Sequence, residues 1–145
     1  SRSGIRYYEG INGVKSILAQ MLEVESGGTL YGLTDEKYAG FIDNELRNWM
    51  DTFVETRRER GIYWRGIVNK SPESDKTLRS DPSMLRAIKQ IENVSLIAAF
   101  HIFGDNVAIT ITKDKPMGVV IENRDIAETA RTLFNAYWEL LPEYE

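Results

Sequence analysis

The sequence has no cysteine, a single histidine and only four prolines in 145 residues. Without cysteine there is no disulfide, no thiol nucleophile and no cysteine metal site, and a reducing compartment is permitted. With His101 alone, a two-histidine metal site cannot be built within one chain. No apolar run approaches the roughly 18 residues that span a bilayer, and no charged-then-apolar leader opens the chain. Repeats, low-complexity tracts and long Pro/Gly linkers are also missing, so residues 1–145 read as one domain. What is present is ordinary globular composition, 42% hydrophobic and 28% charged. The 18 basic and 22 acidic residues leave a net charge of -4, which argues against binding nucleic acid with the whole surface. The chain opens at Ser1 rather than methionine, and we expect a fragment or a processed piece.

Periodicity gives the elements. Ile5 to Tyr8 is β-rich and predicts a strand, with Asn12 and Gly13 breaking the chain before a helix. Val14, Ile17, Leu18, Met21 and Leu22 recur at spacings of three and four, one face of an amphipathic helix to about Val24. Thr29 to Leu33 reads as a strand, after which Thr34 or Asp35 can cap a long helix. Tyr38, Phe41, Ile42, Leu46, Trp49, Met50, Phe53 and Val54 form its stripe, and Gly61 stops it. Ile62 to Val68 is a third strand. Asn69 to Pro82 is loop-rich and reads as a surface excursion. The spacing predicts a short helix over Pro82 to Ile91, capped by Asp81, with Met84, Leu85, Ile88 and Ile91 inward.

From Val94 the period changes. Leu96 to Phe103 is apolar on both faces, as in a strand inside a sheet. A turn at Gly104 to Asn106 leads into the alternating strand from Val107 to Ile111. Another turn precedes a strand at Met117 to Ile121, and a last amphipathic helix carries Ile126 to Leu141. This order predicts an α/β fold: a mixed sheet with helices on both faces, parallel in its first half and antiparallel in its second.

Several residues could carry chemistry. His101 could be a general base, a nucleophile or a pH switch, although a histidine packed on a buried strand is the commoner case. Arg57, Arg58 and Arg60 could hold an anion, but their place in the last turn of a helix suggests dipole compensation. Arg65 is separate, because it lies within a strand and must find a partner or a ligand. Glu9, Gly10 and Gly13 sit at a strand-to-helix turn that could offer backbone N–H groups. Gly10-x-x-Gly13 is too short for a nucleotide fingerprint, and turn geometry explains it. Trp49, Phe53, Phe134, Tyr137 and Trp138 fall at helical spacing, as core or helix-interface residues do. Glu122, Asp125 and Glu128 suit a helix start. Glu9, Arg65 and His101 remain the candidate ligand-binding residues, since they lie on or beside strands otherwise apolar. No metal or cofactor is expected.

The opening IRYYEGINGVKSIL resembles the start of effector domains in TrmB-like transcriptional regulators. The closing FHIFGDNVAITITKDKPMGVVIENRDIAETARTLFNAYWELL resembles their end, and the element order between the two also fits. The resemblance implies one half of the phospholipase D fold. It implies a cytoplasmic homodimer that senses a small effector, a sugar in some relatives. DNA would be bound only through a missing N-terminal winged helix-turn-helix, and no membrane would be involved. Active phospholipase D-like enzymes carry His, any residue, Lys, four residues, then Asp. Alignment on the hairpin Ile102 to Ala108 puts Ile97, Ala99 and Gly104 at those three positions. A frame shifted onto His101 finds Phe103 in place of the lysine and Ala108 in place of the aspartate. The resemblance therefore implies a regulator rather than an enzyme. The alternative is a divergent phosphodiesterase that pairs two copies of His101 across a homodimer.

Overall fold

The structure is a computed structural model that describes residues 3–35, 44–79 and 82–143. Its centre is a seven-stranded mixed sheet in the order β1-β7-β6-β5-β2-β3-β4. The strands are β1 (Gly4–Glu9), β2 (Thr29–Thr34), β3 (Tyr63–Asn69), β4 (Arg86–Ile91), β5 (Ala99–Phe103), β6 (Asn106–Ile111) and β7 (Met117–Glu122). Strands β2, β3 and β4 are parallel to one another. β5, β6 and β7 add antiparallel pairings beside them. β1 departs from the expected order: it closes the far edge of the sheet, antiparallel to β7.

Helices cover both faces. On one face, Ile17 and Met21 of α1 (Gly10–Met21) pack with Leu30, Ile62, Phe103, Ala108 and Val120, and Phe53 of α2 (Asn44–Glu59) joins them. On the other face, Ala127, Phe134 and Trp138 of α4 (Arg124–Leu140) pack on Ile67, Ile91, Ile102 and Val107. The buried positions Val14, Ile17 and Met21 of α1 follow the expected spacing. The N-terminal part of the expected long helix, with Tyr38, Phe41 and Ile42, lies outside the described residues, as does Asp81. Asn123 caps α4, its side chain accepting from the Ile126 N–H at 2.9 Å.

Four expectations are corrected. The region from Pro82 to Ile91 is not a helix: a single 3-10 turn at Pro82–Met84 gives way to β4. The backbone turns out of the helical region at Leu85, whose φ is 52°, and the next six residues pair along β3. The stretch after Asn69 is not all loop. Helix α3 (Pro72–Leu78) forms there, nucleated by a reciprocal capping box between Ser71 and Ser74 with a proline in its first turn. Next, β5 starts only at Ala99, while Val94 and Ile97 before it are exposed. Gly13 breaks nothing either: it lies inside α1, where an added Cβ would meet the Tyr8 Cβ at 3.0 Å.

Side chains are missing from the middle of the α1-facing side for a reason. Gly32 of β2 and Gly66 of β3 are register partners, and the Trp64 ring folds back over Gly66. A Cβ at Gly66 would lie 2.6 Å from Trp64 Cζ2. The rigid indole would have to lift, and overpacking of this kind costs about 1–3 kcal/mol. Gly66→Ala is therefore expected to lower the urea midpoint by that stability. An unchanged midpoint would show that the ring is free to move.

Candidate functional site

The sheet does not bring Glu9, Arg65 and His101 together. Glu9 ends the edge strand β1, paired with Met117, and is exposed. Arg65 is on β3 with its side chain on the α4 face. His101 is on β5 with its side chain on the α1 face. The register makes this explicit: His101 pairs with Gly32 and Ala108, whereas Arg65 pairs with Tyr31 and Ala87.

His101 occupies a floor of small residues. Its ring and the Trp64 indole both close over Gly32, where an added Cβ would meet His101 Nε2 at 3.2 Å and Trp64 Nε1 at 3.0 Å. Both ring nitrogens thus lie around one glycine. His101 Nδ1 is buried and has no hydrogen-bond partner. Burial pushes the imidazole down from its ordinary 6.5 to about 4, and no charged group contributes to that shift. The ring is therefore neutral at pH 7, with no cation acting on it.

On the α4 face, Arg65 finds a partner within the fold. Its Nη1 donates to Asn135 Oδ1 at 2.9 Å, and its guanidinium lies 4.9 Å from the centre of the Trp138 ring. A second cation shares that ring: Lys89 Nζ lies 4.8 Å from its centre and donates to the Trp138 carbonyl at 2.9 Å. Arg131 extends the pattern, 5.6 Å above Tyr31 and 2.7 Å from the Gly104 carbonyl. Lys89 escaped the sequence reading because the region was read as a helix. The run RAIKQI of β4 does not alternate apolar with polar, so its period gives no strand signal at Lys89.

The arginines at the end of α2 do more than offset the helix dipole. Arg57 is almost fully buried and donates to three carbonyls: Ile62 at 2.7 Å, Leu85 at 2.8 Å and Met84 at 2.8 Å. Arg58 reaches the Ser83 carbonyl at 3.0 Å, and Arg60 the Leu22 carbonyl at 2.7 Å. They tie the helix end to the loop before β4 and to the end of α1. Glu9 and Gly10 likewise make a turn: Gly10, at φ 72°, donates its N–H to the Pro116 carbonyl at 2.8 Å. Of the acidic residues, Glu122 pairs with Arg6 and Glu128 with Arg124. No group of three potential metal ligands occurs among the described residues, and no helix among them is long and apolar enough to cross a membrane.

Comparison with known proteins places the fold. No protein-family model matches the chain, and no curated protein matches it by sequence. Solved structures do match. One is TrmBL2, described as an archaeal chromatin protein with a novel mode of DNA binding: 17% identity, TM-score 0.63, covering 97% of this chain and 54% of that one. This chain thus spans about half the length of TrmBL2. Another is Nuc from Salmonella typhimurium, a phospholipase D family member: 12% identity, TM-score 0.70, covering 99% of both chains. A third is NucT from Helicobacter pylori: 8% identity, TM-score 0.65, covering 99% of this chain and all of that one. The fold is phospholipase D-like, and it is shared with a TrmB-like protein.

Proposed function

We propose that this chain is the ligand-sensing and dimerisation domain of a TrmB-like transcriptional regulator, with DNA bound by an N-terminal winged helix-turn-helix in the rest of the protein. The observation that carries the reading is the isolation of His101. Phosphoryl transfer on this fold needs positive charge at the phosphate. Ala99, the residue at the expected lysine position, offers none, and burial alone sets the titration of the only histidine. A fold shared with phospholipase D-like proteins but lacking that charge is better suited to binding than to catalysis.

The surface supports a second copy as partner. Ile5, Tyr7 and Ile109 are exposed on one sheet face, joined through their common neighbours Ile121 and Val119. Leu133, Tyr137 and Leu140 are exposed on α4. Apolar patches of this kind mark interaction sites. A ligand would act by binding two dimer states unequally.

The test has two arms. Sequencing upstream of Ser1 should reveal a winged helix-turn-helix and a linker helix. The purified chain should hydrolyse a generic phosphodiester no faster than a boiled control. Hydrolysis that His101→Ala abolishes would replace this reading with that of a divergent phosphodiesterase pairing His101 across a homodimer.

A further inference from the structure

The sensing reading leaves the chemistry of the ligand open, and the cavity at the β4 edge narrows it. We propose that this cavity binds a small carboxylate with a short apolar body, its head group held by Lys89. The cavity measures about 250 Å³ and is lined by Thr77, Leu78, Arg86, Lys89, Trp138 and Glu143 among others. It lies between α3, the open edge of the sheet and the end of α4.

Lys89 is the argument. Only 7% of its surface is exposed. Taking an ammonium out of water costs several kcal/mol unless a counter-charge offsets it. Yet its partners are a single carbonyl, that of Trp138, and the face of the same residue's ring. It takes part in none of the ion pairs among the described residues. An ammonium has three donors, so two remain beside an open cavity. Among the described residues of the lining, Arg86 is a second cation and Glu143, which is exposed, is the one acid. The most buried charged group among these lining residues is a cation, Lys89.

The walls select the rest of the ligand. Leu78, Ala87, Ile88 and Trp138 give the cavity an apolar part beside its larger polar one, and a bare inorganic ion would leave that part unfilled. The volume falls just below the range of about 300–1,000 Å³ usual for small-molecule sites, so the apolar body must be short. Glu143 opposes such a ligand through like charge, and removing that charge should tighten binding.

The inference rests on the sensing reading only for its biological meaning. An upstream sequence without a DNA-binding part would end that reading and leave the cavity as a carboxylate site. Loss of the site would leave the regulator reading intact with another ligand. Calorimetric titration of the chain with benzoate, pentanoate and inorganic phosphate tests it. Saturable one-to-one binding of at least one carboxylate, tighter than phosphate, is expected. Lys89→Met should weaken it by about tenfold or more. Glu143→Gln, at an exposed position that does not threaten folding, should strengthen it by about threefold. Three results would overturn the proposal: no saturable carboxylate binding to the folded wild type, phosphate bound as tightly as both carboxylates, or binding unchanged by Glu143→Gln.

Discussion

Replacing Arg57 with methionine is expected to remove about 3–5 kcal/mol of stability, a large part of the roughly 5–15 kcal/mol that holds a domain together. The size follows from what the guanidinium does. It is one side chain serving three carbonyls, those of Ile62, Leu85 and Met84. A hydrogen bond to a charged group contributes about 1.5–3 kcal/mol, and a buried acceptor left unpaired costs about 1–3 kcal/mol. These terms do not add fully, because the loop can relax. Two of the carbonyls belong to the corner before β4, where Leu85 stands at φ 52°. A bulky residue there is strained by about 1–3 kcal/mol, and the Arg57 clamp holds it. Burial, then the nearby Arg86 and Arg58, lower the Arg57 pKa to about 10, so it remains charged at pH 7. Arg57→Lys keeps the charge but loses the planar fork, and should restore only part of the loss. Urea unfolding at pH 7 measures all three proteins. A methionine variant within about 1 kcal/mol of wild type would show that water or a rearranged loop replaces the clamp.

The same corner shows where the sequence was legible and where it was not. Helices α1 and α4 could be read because one stripe of each faces one core, so the 3.6-residue period survives in the sequence. The β6–β7 hairpin could be read because Val107, Ile109 and Ile111 alternate with smaller or polar residues. β4 could not. Leu85, Ile88 and Ile91 are spaced by three, as on a helix, and a lysine interrupts the alternation that marks a strand. What decides between the two is a positive φ at Leu85 and a hydrogen bond from Arg57, which is 28 residues away. Local spacing does not encode such a contact. Misreading β4 also hid Lys89, because a lysine on a short helix reads as solvated. Arg65 was recognised as needing a partner, but that partner, Asn135, comes from a helix 70 residues on. Separating Arg65 from His101 required the strand register, since the two faces of a sheet differ by a single residue of offset.

The chain should lose about 2 kcal/mol of stability between pH 7 and pH 5, and His101 should account for it. In the unfolded chain the imidazole titrates near 6.5; in the folded chain burial holds it at about 4. Between those values the unfolded state binds the extra proton and the folded state does not. This contribution is therefore full above about pH 6.5, falls as the pH drops, and levels off below about pH 4, by which point about 3 kcal/mol is lost. Depressed carboxylates, such as Asp75 with its hydrogen bonds from Gln90 and Lys70, act in the same direction but only at lower pH. The range from 7 to 5 therefore isolates the histidine. His101→Met should flatten the slope there. At pH 7 the variant should match wild type or exceed it, since methionine removes a buried nitrogen that has no partner. With one histidine in the chain, a single imidazole resonance followed by NMR reports the folded value directly, and the same measurement in urea gives the unfolded one. A folded value near 6.5, or a slope that survives in His101→Met, would mean that water or a charged group reaches the ring. It would also reopen the possibility that this strand does chemistry, because an imidazole that takes up a proton near neutral pH can serve as a general base.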